Sequence, residues 1–235
     1  MDYERLRKET YEANLELPAL GLVDFTWGNV SIIDPETKLV AIKPSGVPYD
    51  RMKPEDIVLV DLDGKRVEGS LNPSSDLDTH LELYRNFPGI VSIVHTHSAW
   101  ATAWAQACRA IPALGTTHAD YFRGAVPCTR QLSPSETGGA YELETGKVIV
   151  ETFAKLGIDP LRIPAVLVAN HGPFAWGSSG ADAVHNAAVL DITAKLAFHT
   201  LQLSPQIGPM PDHLLSRHFD RKHGPGAYYG QGKRK

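Results

Sequence analysis

Among its 235 residues the chain has only two cysteines, Cys108 and Cys128, and neither belongs to a Cys-x-x-Cys pair. Counting leaves one disulfide open, but reduced thiols in a cytosolic protein are the simpler expectation. No apolar run approaches the roughly 18 residues of a membrane span. The start, Met1-Asp2-Tyr3-Glu4-Arg5-Leu6-Arg7-Lys8, is too charged for a secretory signal. Positive charge is not in excess: the net charge of −4 gives no field for nucleic acid or an anionic lipid surface. Gly-x-Gly-x-x-Gly and Walker loops are missing, so a nucleotide is not indicated. With no repeat, low-complexity linker or composition shift, residues 1–235 read as one soluble, cytoplasmic domain large enough for a substantial core.

What is present has the rhythm of helices and strands in alternation. Residues 3–18, rich in Glu, Leu, Arg and Lys, predict a first helix with Leu6, Tyr11, Ala13 and Leu17 inward. Strand-like runs follow at 30–33, 39–43 and 57–62, and the last leads through Asp63-Gly64 into Lys65-Arg66-Val67, a hairpin signal. Helical spacing returns at 74–87, with a serine as its cap, then at 98–109 and at 142–156 before Gly157. The longest helix is expected over 181–203, capped by Ser178 or Ser179, with its apolar face through Val184, Ala188, Ile192 and Phe198. Hairpins at the front and strands interrupted by helices predict an α/β sandwich on a mainly antiparallel central sheet.

The organising stretch is Ile93-Val94-His95-Thr96-His97-Ser98. An apolar run ending in His-x-His reads as a buried strand whose two-residue period points both imidazoles to one side. Ala165-Val166-Leu167-Val168-Ala169-Asn170-His171-Gly172 is a second apolar strand that ends in histidine. An isolated histidine usually does no more than hydrogen-bond. Three at two strand ends instead make a donor set for a divalent metal, and zinc wants three or four such ligands. His80, His185, His199 and His213 have no comparable context and read as ordinary helix-surface or core residues.

Three loops carry the material of an anion site. Trp27-Gly28-Asn29-Val30-Ser31 and Lys43-Pro44-Ser45-Gly46-Val47-Pro48 combine glycine, small polar side chains and a lysine. Asn72-Pro73-Ser74-Ser75-Asp76 places two serines at a helix N-terminus, where unpaired N–H groups favour an anion. Each alone is a turn or a cap; together with a metal site they suggest a phosphorylated substrate.

These stretches, with Gly115-Thr116-Thr117-His118-Ala119-Asp120-Tyr121-Phe122, His171-Gly172-Pro173-Phe174-Ala175-Trp176-Gly177, Arg221-Lys222-His223-Gly224 and Tyr228-Tyr229-Gly230-Gln231, resemble the epimerase branch of the class II aldolase family over nearly the whole length. The resemblance implies a zinc-type site at His95, His97 and His171 with Asp76 close by. It implies phosphate contacts from Gly28, Asn29, Ser45, Gly46, Ser74 and Ser75, with Lys43 nearby. It further implies that Asp120 and Tyr229 are an acid–base pair and that the enzyme is a homotetramer. His218 and Arg221, on a short helix before the tail, are weaker candidates for substrate contacts.

The reaction so implied is conversion of L-ribulose 5-phosphate to D-xylulose 5-phosphate. The C4 proton is not next to the C2 carbonyl, so enolisation cannot invert C4. Breaking C3–C4 by a retro-aldol step can, because electrons left on C3 delocalise into the carbonyl as an enediolate that a divalent cation stabilises. The phosphate loops tether the aldehyde fragment while it turns over, and proton-transfer groups flank C4 on both sides. A class II aldolase of the L-fuculose-phosphate kind, a sugar-phosphate dehydratase and a non-enzymatic adducin-head-like module are the rival readings. Three intact histidines argue against the last. Residues 205–235 are too polar for a core of their own, so the tail is expected on a neighbouring subunit. Each site would then take His95, His97, His171 and Asp120 from one chain and Tyr229 from the next.

Overall fold

Seven short strands pair antiparallel throughout in the order β4-β3-β2-β1-β5-β7-β6. They are β1 (Asn29–Ile33), β2 (Val40–Ile42), β3 (Val58–Val60), β4 (Arg66–Glu68), β5 (Ser92–His95), β6 (Ala165–Leu167) and β7 (Pro173–Gly177). The computed structural model describes residues 3–228. Its helices are α1 (Tyr3–Ala19), α2 (Leu77–Asn86), α3 (Ala99–Gln106), α4 (Thr116–Ala119), α5 (Pro134–Thr137), α6 (Tyr141–Leu156), α7 (Gly180–Leu203) and α8 (Asp212–His223).

Alternation sorts the strand side chains between two layers. Val30, Val94, Ala175, Ala165 and Leu167 pack under α1, α3 and α7. Ile93, Phe174, Trp176 and Val166 meet α2 and α6 through Leu83, Ile149 and Phe153. The centre of the sheet is therefore buried on both faces, and β1, β5 and β7 are buried at every position instead of alternating buried with exposed. The expected α/β sandwich on an antiparallel sheet is what forms.

Local departures have physical reasons. The helix expected over 74–87 begins at Leu77 with Asp76 as its N-cap, because Ser74 turns its hydroxyl toward Asn29 and Asp76. Ser179 caps α7, accepting from the Asp182 amide. On α7 the buried stripe runs through Ala183, Val184, Ala187, Leu190, Ala194 and Ala197, whereas Ile192 and Phe198 are 53% and 42% exposed. The helix is apolar nearly all round, so helical spacing could not tell which stripe faces the sheet. The second β-strand of the β6–β7 hairpin and the short helices α4 and α5 lack a periodic signal and were not anticipated.

Buried polar groups pin the layers. Asn14, fully buried on α1, donates to Thr10 O and Val30 O and accepts from the Val30 amide at 2.8 Å. It thereby pairs the part of β1 that projects beyond β2, whose ladder starts at Ser31. Asp191 of α7 accepts from the Trp100 and Ala101 amides, capping α3 from outside. Two histidines are buried in the body. His80 reaches Ser31 Oγ at 2.7 Å and is pushed down to about 3 by burial, with the Asp76 charge opposing. His118 contacts Gly124 O at 2.7 Å and is pushed down to about 4, again by burial. Both cysteines are free.

Asn14→Ala strips both backbone partners from Val30 and should cost about 2–4 kcal/mol in urea denaturation; a loss under about 1 kcal/mol would contradict this role. The depressed histidines fix a pH dependence. Unfolded histidines take up protons near pH 6.5, while His80 and His118 resist until about 3 and 4. Their stabilisation is present above pH 6.5 and is lost as pH falls toward 4. Metal-free protein should therefore be less stable at pH 5 than at pH 7, by about 2 kcal/mol for each histidine. An unchanged urea midpoint would contradict the burial argument.

Candidate metal centre and active site

Antiparallel pairing brings the start of β1, the end of β5 and the start of β7 to one edge of the sheet. Asn29 lies opposite His95, and His95 opposite Phe174. His95 stacks on the Phe174 ring at 4.2 Å, and its Nδ1 is 3.0 Å from Pro173 O. A carbonyl only accepts, so Nδ1 carries the proton and Nε2 is left bare. Two residues on, His97 presents its Nε2 3.1 Å away. His171 lies in the β6–β7 turn rather than on a strand, and joins through the tight bend at Asn170 and Gly172. One donor atom from each ring falls within 4.8 Å of the others.

This donor set fits a metal. Nitrogens about 2.0–2.1 Å from a tetrahedral zinc lie about 3.3 Å apart, and the His95–His97 spacing is close to that. Burial, reinforced by the charge of its neighbours His95 and His97, pushes His171 down to about 4, so one of its ring nitrogens has a free lone pair at neutral pH. His97 is lowered by burial and by His95. Tyr141 Oη is 3.2 Å from His171 Nδ1, a partner of the kind that orients metal-bound imidazoles.

The close packing needs two glycines. Gly28 has φ +72°, and a Cβ there would stand 2.8 Å from His95 O. At Gly172 a Cβ would meet Thr96 O at 2.9 Å and His97 Cδ2 at 3.1 Å.

Beside the histidines opens a pocket of about 420 Å³, lined by all three and by Gly28, Asn29, Lys43, Ser45, Gly46, Ser74, Ser75 and Asp76. Every described residue expected for metal or phosphate thus comes together, apart from His218 and Arg221. Loops 43–48 and 72–76 zip through Ser45 N to Asn72 O and Ser74 N to Lys43 O. Asp76 stands outside the three-histidine donor group; its Oδ2 takes the Asn29 Nδ2 hydrogen bond at 2.7 Å. Burial raises the Asp76 carboxyl, but His95, His80 and the Asn29 hydrogen bond outweigh it, so the group stays ionised. Asn29 Oδ1 remains buried without a partner among the described residues.

Lys43 is the unusual cation, 2% exposed with no carboxylate partner in its hydrogen bonds. Its Nζ donates to the Thr26, Pro44 and Val47 carbonyls and lies over the Tyr49 ring at 4.7 Å. Burial pulls it down to about 8. Tyr49 Oη in turn reaches the Trp27 and Gly28 carbonyls. Tyr49, Tyr141 and Glu142, the last two lining the pocket, escaped sequence reasoning. Nothing in their spacing marks them, since Tyr49 follows a proline turn and Tyr141 opens a helix.

Asp120 is held elsewhere. It caps α4, does not line the pocket, and is gripped by α8: His218 Nδ1 and Arg221 Nε each lie 3.0 Å from Oδ1, and Arg221 Nη2 2.6 Å from Oδ2. His223 Nε2 adds a contact to the Asp120 carbonyl. Burial raises the Asp120 carboxyl, but the Arg221 and His218 hydrogen bonds more than offset it. Tyr229 lies outside the described residues.

Comparison with known proteins places the fold in a family. Residues 8–198 match the family described as Class II Aldolase and Adducin N-terminal domain. The L-ribulose-5-phosphate 4-epimerases UlaF of Salmonella paratyphi C and Salmonella choleraesuis are each 57% identical over 228 residues, covering 97% of this chain and 99% of theirs. Among solved structures, an L-fuculose 1-phosphate aldolase superposes with a TM-score of 0.77 at 26% identity over 92% of this chain and 95% of that one. The L-fuculose-1-phosphate aldolase of Thermus thermophilus gives 0.66 at 26% identity over 88% and 99%. The chain therefore belongs to the class II aldolase and adducin N-terminal domain family.

Proposed function

We propose that the chain is an isomerase that epimerises L-ribulose 5-phosphate to D-xylulose 5-phosphate at C4, with zinc at His95, His97 and His171, in the cytoplasm. The observation that carries this is the meeting of a three-imidazole donor set with three phosphate-suited loops in one pocket, in a chain 57% identical to epimerases along 97% of its length. Neutral imidazoles leave a bound zinc ion most of its charge, so it supplies Lewis-acid stabilisation to negative charge developing on the substrate oxygens.

The chain's own residues do the rest. The phosphate group sits against Gly28, Asn29, Ser45, Gly46, Ser74 and Ser75, with the Lys43 ammonium fixed behind the loops. This anchoring holds the aldehyde fragment while its carbonyl rotates. Asp76, ionised and tied to Asn29, sets the charge facing the imidazoles. Asp120, kept as a carboxylate by Arg221 and His218, removes the C4 hydroxyl proton as C3–C4 breaks and the electrons pass to the C2 carbonyl. Tyr229 returns a proton on the opposite face after re-addition.

In this reading the active enzyme is a homotetramer with sites between subunits and residues 205–235 directed at a neighbour. Exposed apolar side chains at Phe25, Trp27, Ile192, Leu196, Phe198 and Leu203 support such assembly. The site divides differently here from the sequence-based expectation, on the strength of what holds Asp120. Asp120 is bound to α8, and Tyr229 follows six residues after His223, the last residue of that helix. We infer that Asp120, His218 and Arg221 act as one arm with the chain that leads to Tyr229, opposite a neighbour's histidines.

Wild-type protein should turn over L-ribulose 5-phosphate in preference to L-fuculose 1-phosphate and lose that activity on chelation. Preference for the fuculose ester would make it an aldolase. His97→Asn should weaken zinc binding by more than the roughly 10–100-fold typical of losing a supporting residue, and turnover with it. Activity that survives both chelation and this change would refute the metal role.

Asp120→Asn should fold and bind metal yet lose about 10²–10⁴-fold in turnover. Mixed with His97→Asn subunits it should regain about a quarter of sites, because the intact half of each can meet across an interface. Mixed with Tyr229→Phe subunits it should regain none. Recovery in the second mixture but not the first would return Asp120 to the histidines' side.

A further inference from the structure

Two of the three imidazoles are backed by an oxygen, and the two oxygens differ in kind. Behind His95 stands the Pro173 carbonyl, which can only accept. Behind His171 stands the Tyr141 hydroxyl at 3.2 Å, which can accept or donate. With Nδ1 engaged by Tyr141, Nε2 is the nitrogen His171 has left for a metal. A neutral imidazole carries one proton. If Tyr141 donated to Nδ1, that proton would have to sit on Nε2 and block ligation. Ligation through Nε2 therefore requires Nδ1–H to donate and Tyr141 Oη to accept. The phenol proton is then displaced from His171. Tyr141 lines the pocket beside Asp76 and Glu142, and it is the only tyrosine doing so among the described residues. Its ring lies 6.1 Å from the His171 ring at 33°, so the hydroxyl is held by a helix start that is itself part of the wall.

We infer that Tyr141 does two things with one hydroxyl: it positions His171 by accepting its Nδ1–H, and it donates its own proton to an oxygen of the bound sugar phosphate. Metal occupancy and substrate recognition are coupled at this atom, because filling the metal site fixes which way the phenol proton points. The inference rests on the metal and substrate reading given above, and its test separates the two.

Zinc dissociation constants are measured by chelator competition for wild type and Tyr141→Phe, along with the melting temperature of each metal-free protein and steady-state kinetics at saturating zinc. The variant is expected to bind zinc about 10-fold more weakly. Its metal-free melting temperature should be unchanged, since no buried apolar contact is removed. KM at saturating zinc should rise about 3- to 10-fold, the worth of one neutral hydrogen bond. Unaltered zinc affinity overturns the positioning role, as does a loss of affinity matched by a fall in metal-free melting temperature. Unaltered KM at saturating zinc overturns the substrate contact. If wild type binds no zinc, the metal reading itself fails, a different result from wild type and variant binding it equally.

Discussion

Everything at the functional edge depends on the antiparallel register that sets Asn29, His95 and Phe174 abreast on three neighbouring strands. Side chains alternate along a strand, so a one-residue slip of β5 would turn His95 into the opposite layer and bring Val94 to the pocket. The register also decides the backbone partners. It puts Pro173 O within reach of His95 Nδ1 and the Phe174 ring flat against the imidazole. Asn14 extends the same constraint, pairing β1 where β2 has not yet begun. The ligating geometry is thus a property of the sheet before any helix is considered.

Burial does the electrostatic tuning around that edge. It lowers His171 to about 4 and Lys43 to about 8 while the neighbouring imidazoles and Asn29 keep Asp76 ionised. Desolvation thus leaves imidazole nitrogens bare, while the neighbouring charges and the Asn29 hydrogen bond override it at Asp76 and keep that carboxylate charged. Lys43 is stabilised by carbonyls and an aromatic face instead of an anion. Its positive charge is left uncompensated next to the loops, where a phosphate dianion would supply the missing partner.

Six of the seven strands, the front hairpin and five of the helices were legible because their apolar spacing is set by burial, and burial is what a sequence records best. The His95-x-His97 pair was legible from its apolar run, although only His95 lies on β5 and His97 follows in the loop before α3, where strand period no longer sets its facing. His171 was found from its apolar run, although it occupies a turn. The facing of α7 was not legible: with alanines on one side and Ile192, Leu196 and Phe198 on another, apolarity alone favours the bulkier stripe. Tyr49 and Tyr141 make hydroxyl contacts to groups distant in sequence, and no periodicity encodes those. Asp120 was found only through family resemblance, and its attachment to α8 spans about a hundred residues of chain.

That attachment explains how a weakly apolar helix is held in one orientation. Only Leu215 and Phe219 of α8 are buried, too little apolar surface to fix its rotation and pitch. Directional contacts do so instead: Arg221 and His218 on the Asp120 carboxylate, His223 on its carbonyl, and Arg123 on Asp212 and Ser216. Bidentate guanidinium–carboxylate pairing has little angular freedom. In the proposed assembly Asp120 is consequently ionised and clamped to α8 within each subunit before any docking. Docking of subunits then has to position two rigid parts, a sheet edge that holds metal and a clamped helix that moves protons, and neither has to be reshaped at the interface.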